Sequence, residues 1–186
     1  MDQELQQKLF AKYPSIFRNV NKSPRESCMA FGIECGNGWY NIIDALCTAF
    51  SSGYSSCKIV NDYDTGIEDK KVSFEYSTAD IQVVASQVKE KFGGLRFYYF
   101  TRYSEEFEKR VELYPNTVAA ISKEIFNYYN GIVHLAEIMS VMTCEETGKP
   151  GRWCSRSGWI KTLCKEKAEE LGYEEIKEEA ANDEKG

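Results

Sequence analysis

The 186-residue chain lacks several features that would assign it to a common class. It has no apolar run near the roughly 20 residues that a membrane-spanning helix needs. Its polar, acidic start, MDQELQQKLF, has no apolar signal-peptide core. It has one histidine for seven cysteines, and no cysteine has a histidine close to it in sequence. A histidine-activated cysteine nucleophile is therefore unsupported, and we expect reduced thiols in a cytoplasmic protein.

The charge balance argues against further classes of protein. The net charge is −6, and much of it comes from the acid-rich stretch 166–186. This balance argues against general nucleic-acid binding and against binding to anionic membranes. The aromatic share, in contrast, is high at 13%, with 12 tyrosines. Aromatic residues favour sheet surfaces or ligand stacking, so a purely helical bundle is disfavoured.

Residues 143–167 resemble a treble-clef zinc finger that has lost half of its ligands. Such a finger has a Cys-x-x-Cys-Gly knuckle, a short hairpin and a helix whose first turn carries a second ligand pair. Here Cys144 and Gly148 frame the knuckle, but Thr147 stands at the second cysteine position. Cys164 opens the helix, but Lys167 stands at the second ligand position. With Cys154 as a candidate third donor, the set falls short of four, so we expect this scaffold without a metal or other cofactor.

Periodicity predicts an α+β fold in which a small antiparallel sheet packs on two or three helices. The predicted helices span residues 2–13, 39–50, 104–113 and 117–142, and the predicted strands span 57–60, 71–76 and 95–100. The second helix has an apolar face with helical spacing: Trp39, Ile42, Ile43, Leu46, Cys47 and Phe50. The last helix has an apolar stripe: Ile121, Ile125, Ile132, Leu135 and Met139. Residues 81–92 fit either a strand or a helix, and Gly93-Gly94 predicts a hairpin turn. We divide the chain into an α+β body (residues 1–142), a degenerate treble-clef-like C-terminal module (residues 143–173) and an acidic tail (residues 174–186) that is disordered or a solvated helix.

Three motifs carry a family resemblance: FGIECGNGWYNIIDALC, VKEKFGGLRFYYF and TCEETGKPG followed by GWIKTLCKEKA. In this order they resemble a family of small, mostly uncharacterised proteins encoded by bacteriophages and prophages, over about residues 13–171. Members of that family usually carry a CxxCG knuckle and a CxxH pair, from which this chain departs at Thr147 and Lys167. The resemblance implies a bacterial host cytoplasm and gives no activity.

The first candidate site is Gly36-Asn37-Gly38-Trp39, which precedes a predicted helix. Backbone N–H groups at a helix start, without side chains in the way, can bind an anion. The alternative is a tight turn that requires glycine at positive φ.

The second candidate site is the predicted hairpin around Gly93-Gly94. Lys91 lies close to the turn, and Arg96, Tyr98 and Phe100 share one face of the following strand. A guanidinium beside aromatic rings suits a base or a phosphate. The alternative is ordinary aromatic packing with a solvated arginine.

The third candidate site is the C-terminal module, which is locally basic. Arg152 and Lys161 stand among two tryptophans, Trp153 and Trp159, a combination that can recognise nucleotides, peptides or carboxylates. The alternative is that Trp159 replaces the lost metal as a small core.

Other polar residues give no diagnostic pattern. The carboxylates Glu34, Asp44, Glu75, Asp80 and Glu90 lack the spacing of a metal-dependent nuclease. His134 lies among apolar residues of a predicted helix, which favours a packed core position.

Together these features predict a non-catalytic phage accessory protein. The preferred hypothesis is sequestration of a small anionic, nucleotide-derived signalling molecule to counter host defence. The alternatives are a protein–protein inhibitor or adaptor with Trp153 and Trp159 as anchors, and a metal-dependent nucleotide hydrolase or nuclease. Homo-oligomerisation stays open. The predicted ligand-binding set, which includes one anion pocket formed by Arg96, the Gly36–Trp39 segment and Arg152 or Lys161, is Gly36, Asn37, Gly38, Trp39, Lys91, Arg96, Tyr98, Arg152, Trp159 and Lys161.

Overall fold

The computed structural model describes residues 1–52, 55–61, 64 and 71–176, and it confirms the α+β class. The helices are α1 (Gln3–Lys12), α2 (Tyr40–Ser51), α3 (Glu105–Leu113), α4 (Pro115–Ser140) and α5 (Lys165–Leu171). The strands are β1 (Ile33–Glu34), β2 (Ser55–Asn61), β3 (Lys71–Ser77), β4 (Ile81–Lys91), β5 (Gly94–Tyr103), β6 (Arg152–Arg156), β7 (Trp159–Leu163) and β8 (Glu174–Glu175). None of the described helices combines the length and the apolar character needed to cross a membrane.

The body is organised around the β4–β5 hairpin. β1 pairs in parallel with β4, β4 pairs antiparallel with β5, and β2 pairs antiparallel with β3. The predicted alternation along β5 is confirmed, because Leu95 and Phe97 are buried whereas Tyr98 and Phe100 are about half exposed. The buried face packs with α2 and α4 around Phe50, whose ring contacts Phe97 and the edge of Tyr129. This large aromatic core fixes the hairpin, and the hairpin turn carries part of the candidate site.

The ambiguous segment 81–92 is a strand, and its irregular pattern has a structural cause. The pairing of β4 with β5 shifts register between Ala85 and Gln87, which is a β-bulge. A bulge places one extra residue in a strand, so alternation is lost there. Val83, Val84 and Ala85, just before the bulge, are all buried, so both faces of the strand are covered there.

Helix α4 differs from its prediction in its first residue and in which of its residues are buried. It begins at Pro115 rather than at Thr117, which suits proline because the first helical N–H needs no partner inside the helix. The predicted apolar stripe included Leu135 and Met139, but these are 57% and 41% exposed. His134 is also exposed, so its predicted core position is wrong. The core face instead runs through residues such as Tyr129, Val133 and Ala136.

The C-terminal module has the predicted hairpin and helix. β6 and β7 pair antiparallel across Ser157-Gly158, both of which have positive φ, as a two-residue turn requires. Cys164 is the N-cap residue of α5. β8 pairs with β6, so Glu174 and Glu175 form a strand instead of a disordered or helical tail. The predicted tail from residue 177 onward lies outside the described residues.

Candidate functional site

Two hairpin turns lie side by side where the C-terminal module meets the body. The body contributes the β4–β5 turn, which consists of Phe92 and Gly93, so the predicted Gly93-Gly94 turn is displaced by one residue. The module contributes the Ser157-Gly158 turn. A direct hydrogen bond ties the two hairpins, because the Thr162 hydroxyl donates to the Gly93 carbonyl at 2.5 Å. The module is therefore fixed against the β4–β5 turn of the body's sheet.

The backbone N–H groups of Gly36 and Gly38 donate to one residue of the chain itself, Glu145. The N–H of Gly36 donates to a Glu145 carboxylate oxygen at 2.9 Å, and the N–H of Gly38 donates to the Glu145 backbone carbonyl at 2.7 Å. Lys161 Nζ lies 3.2 Å from the second carboxylate oxygen. Two predicted ligand-binding elements thus converge on Glu145, an internal carboxylate of the knuckle.

The two glycines serve close approach, not unusual backbone angles. Gly36 has φ −72°, and Gly38 is not among the positive-φ residues, so the alternative reading as a positive-φ turn is wrong. A Cβ at Gly38 would lie 2.1 Å from the Cys144 carbonyl oxygen and 2.4 Å from the Gly148 nitrogen. Only glycine therefore lets the knuckle backbone rest on this segment.

The Glu145 carboxylate is deeply buried, with 4% of its side chain exposed. Burial raises the pKa of Glu145, and the attraction of Lys161 offsets only part of that effect. Lys161 approaches without hydrogen-bond alignment, so the Glu145 oxygen facing it has no hydrogen-bond donor in the described part of the chain. The pKa of Lys161 is itself raised, because the attraction of Glu145 and Glu146 outweighs burial. The arrangement is an electrostatic joint between the body and the module.

Trp39 completes this joint and is inaccessible to a ligand. Its side chain is fully buried, and its indole N–H donates to the Thr143 carbonyl at 2.8 Å. Asn37 is engaged elsewhere, because its side chain exchanges hydrogen bonds with Asp2. The predicted contacts of these two residues with an external ligand thus have no geometric support.

The cysteine-containing side of the module is a small core next to Thr147. Cys144, Cys154 and Cys164 are buried together with Leu163 and Ala168 in a small core. Burial raises the pKa of Cys144, but hydrogen bonds from the Thr147 hydroxyl and from nearby backbone N–H groups lower it further than burial raises it. The Thr147 hydroxyl also lies 3.7 Å from the Cys164 sulfur. Thr147, which occupies the predicted position of the second knuckle cysteine, therefore lies close to the Cys144 and Cys164 sulfurs.

Lys167 occupies the other predicted ligand position. The Lys167 ammonium pairs with Glu170 at 2.7 Å rather than with the sulfurs. In the described part of the chain, no three or more His, Cys, Asp and Glu side chains are arranged to hold a metal ion. A cavity of about 660 Å³ does lie between β6, α5 and β8, and Cys154, Cys164 and Arg152 line it.

The remaining predicted ligand-binding residues are dispersed. Arg96 donates to the Leu95 carbonyl and lies 3.9 Å from Glu137. Tyr98 is exposed on the outer face of β5, where Lys89 lies 5.8 Å from its ring centroid. Arg152 is paired with Glu175 at 3.4 Å in a largely exposed position. The single pocket predicted for Arg96, the Gly36–Trp39 segment and the module's cations does not appear among these contacts.

A different surface forms where the two turns meet. We call it the two-turn patch and define it as Lys91, Phe92, Trp159 and Ile160, which line a cleft of about 380 Å³ together with Glu90, Ser157 and Gly158. Phe92 is 69% exposed and Trp159 is 76% exposed. Trp159 is therefore not a small core replacing the metal, as the alternative reading supposed.

The turn geometry makes the exposure of Phe92 unusual. Its φ is +54°, a left-handed conformation that costs a residue with a side chain about 1–2 kcal/mol. Asparagine or glycine is the usual residue at such a turn position. Trp153, half exposed, adjoins the patch, since its ring lies next to Gly93. The chain thus maintains an exposed aromatic residue where both local conformation and solubility disfavour it.

The candidate catalytic carboxylates are held in separate local contacts. Asp44 pairs with Lys12 at 2.8 Å, Asp80 accepts from the Ser77 backbone and hydroxyl, and Glu90 accepts from the Gly93 N–H. Glu34 accepts from Gln87. These contacts account for four of the five carboxylates as local structural elements.

Comparisons of the chain with protein-family models, with curated proteins and with solved structures found no match.

Two residues of the site were missed in the sequence. Glu145 had a signal, because an acidic residue follows Cys144 directly in the knuckle, but its partner Gly36 lies 109 positions away. Phe92 had a weaker signal: an aromatic residue before two glycines, where a turn needs positive φ.

Proposed function

We propose that the protein is a non-catalytic binding protein, and that its two-turn patch docks a segment of a partner protein. Phe92 and Trp159 are the apolar anchors, and the partner segment carries an apolar side chain that enters the cleft and an acidic residue that faces Lys91. The observation that carries this proposal is the pair of exposed aromatic side chains converging from two turns, one of them in a strained conformation.

The energetics of protein interfaces support an aromatic anchor of this kind. A few aromatic residues commonly provide most of the binding free energy at an interface. Strained local conformations that persist in a folded protein cluster at functional sites. Lys91 lies over the Phe92 ring at 5.3 Å and has no ion pair with any described residue, so its charge can meet an acidic partner. The resemblance to phage proteins suggests a host protein as the partner, which corresponds to the inhibitor or adaptor hypothesis.

The anionic small-molecule hypothesis has less geometric support. The backbone donors that best suit a phosphate are bound to Glu145, and Arg96 is directed to Leu95 and Glu137. The cleft of the two-turn patch has room for a base, but Glu90 and Lys91 together give it little net positive charge. Nucleotide binding at this cleft is therefore an alternative outcome of the test.

The decisive variant is Phe92→Asn, which separates stability from binding. Asparagine tolerates the left-handed conformation, so we expect this change to stabilise the fold by about 0.5–1 kcal/mol. The same change removes an anchor and should weaken partner binding at least tenfold. Trp159→Ala should weaken binding similarly without changing stability by more than about 0.5 kcal/mol.

Peptides selected from a random display library on wild-type protein provide the ligands, and calorimetry provides the affinities. Leu113→Ala is the matched control, because Leu113 is equally exposed, at 69%, but lies at the end of α3. A panel of nucleotides and cyclic nucleotides is titrated in parallel. Selected peptides whose affinity is unchanged in Phe92→Asn and Trp159→Ala would contradict the proposal, and nucleotide binding that both variants abolish would replace it.

A further inference from the structure

Helix α4 has a second apolar face that the body does not cover. Gly131, Leu135 and Ile138 recur at intervals of four and three, the spacing of a coiled-coil seam, with Met139 beside them. Met142 continues this spacing in the turn that follows the end of α4 at Ser140. Their large side chains are 41–57% exposed. The core face of the same helix, through Tyr129 and Val133, lies on nearly the opposite side. A helix that is apolar on both sides ordinarily has both sides covered.

We propose that this exposed face, which we call the α4 seam and define as Gly131, Leu135, Ile138, Met139 and Met142, pairs with the same face of a second copy of the chain in antiparallel orientation. In a two-fold interface, residue i meets residue j and residue j meets residue i. When the seam is aligned with the same seam of the second copy running in the opposite direction, Gly131 lies opposite Met142, and Leu135 lies opposite Ile138. This assignment is independent of the two-turn patch.

Shape and charge both favour a second copy in this register. A Cβ at Gly131 would meet nothing within 4 Å, so the helix surface there is an open hole that the long side chain of Met142 can fill. From residue 125 to residue 142 the only acidic or basic side chains are His134 and Glu137, and Glu137 lies beside Arg96 of its own chain. Two copies can therefore meet along this seam without an array of like charges.

The area predicts a weak dimer. The four exposed side chains and the backbone at Gly131 offer on the order of 400–500 Å² per copy, so pairing removes less than about 1,200 Å², the range of transient interfaces. Such an interface is compatible with a dissociation constant in the micromolar range. The dimer should therefore be visible as concentration-dependent association rather than as a permanent assembly.

Sedimentation velocity tests the association on the full chain. From about 1 μM to about 500 μM protein, we expect wild type to shift from monomer to dimer. Leu135→Glu should remove the shift, because it places a charge in the seam, while leaving the thermal unfolding of the monomer unchanged. Leu113→Glu, which changes a leucine on α3 that is 69% exposed against 57% for Leu135, should dimerise like wild type. A monomer throughout this range, or a dimer that persists in Leu135→Glu, would overturn the proposal.

Disulfide trapping tests the register. Leu135→Cys and Ile138→Cys are prepared as separate variants of different mass, each with the exposed Cys28 replaced by serine. Under mild oxidation, the mixture should form the mixed cross-link several times faster than either variant cross-links with itself. Faster self-cross-linking of each variant would indicate parallel helices and would overturn the antiparallel assignment.

Discussion

The body and the C-terminal module bury very different cores. The body core draws on four helices and two sheets and includes large fully buried side chains such as Trp39, Phe17 and Tyr129. The module core consists of Cys144, Cys154, Leu163, Cys164 and Ala168. A core of this size rarely stabilises a domain without a metal or disulfides. The contrast indicates that the module depends on its contact with the body, where Trp39, Gly36 and Gly38 receive it.

The largest expected effect comes from the residue that belongs to both regions. Trp39→Ala should lower the free energy of unfolding by about 3–5 kcal/mol, because it opens a cavity in the body core and leaves the Thr143 carbonyl without its donor. Leu9→Ala, in the body core, is the control, with an expected loss of about 2–5 kcal/mol. Denaturant unfolding followed by circular dichroism measures both.

Trp39→Ala and Leu9→Ala should differ in which part of the structure unfolds locally. Reaction of the module's cysteines with a thiol reagent in native buffer should accelerate in Trp39→Ala beyond what its global stability explains, but not in Leu9→Ala. Equal rates at matched stability would show that Trp39 does not hold the module.

A gain of metal binding would test the resemblance of the module to a zinc finger. Thr147→Cys with Lys167→Cys restores four thiolate donors with Cys144 and Cys164, and we expect one zinc per chain. At a thousandfold excess of free zinc over the dissociation constant, the fold should gain about 4 kcal/mol. Elemental analysis and unfolding with and without a chelator measure this gain. The control variant, Thr147→Ser with Lys167→Arg, adds no metal donor and should bind no zinc. Failure of the double cysteine variant to bind zinc would contradict the proposed scaffold.

The buried Glu145 carboxylate should contribute more to the stability of the fold than its exposed neighbour, Glu146. Glu145→Ala removes the acceptor of Gly36 and the ion-pair partner of Lys161, and we expect a loss of about 2–3 kcal/mol. Glu146 lies at a nearly identical distance from Lys161, 3.3 Å, but is 37% exposed, so Glu146→Ala should cost at most about 1 kcal/mol. Denaturant unfolding of the pair provides the comparison, and equal losses would refute a special role for burial.

A smaller effect is the pH dependence of the joint. Burial raises the pKa of Glu145 above its ordinary value of 4.5, so the folded state retains this proton to higher pH than the unfolded state. The stability contributed by this carboxyl should therefore fall as the pH rises from about 4.5, and level off above the folded-state pKa. Relative to Glu145→Gln, wild type should lose stability over this range in urea titrations. A relative gain would show that the attraction of Lys161 outweighs burial.

Sequence patterns predicted the elements whose periodicity is undisturbed. The two faces of β5 and the helical face of α2 followed from spacing alone, because one side of each element meets one core. The segment 81–92 was ambiguous because the bulge between Ala85 and Gln87 interrupts its alternation. Helix α4 was misread at Leu135 and Met139 because two apolar faces overlap in one sequence.

The site was harder to predict than the fold because its partners are distant in sequence. The Gly36–Trp39 segment was predicted to bind an external anion, but no local pattern shows that its N–H groups donate to Glu145 of the same chain. The exposure of Trp159 likewise depends on how the module docks against the β4–β5 turn. Local spacing indicates which groups can bind, and long-range packing decides which of them remain available.

Hydrogen exchange at Gly36 and Gly38, measured by NMR on chelator-treated protein, tests most directly whether the joint holds the module without metal. Both N–H groups donate to Glu145, at 2.9 Å and 2.7 Å. We expect both amides to be protected in wild type, and Gly36 to lose its protection in Glu145→Ala while the amides of β5 stay protected. Rapid exchange at both glycines in metal-free wild type, with protection appearing only after zinc is added, would contradict the account.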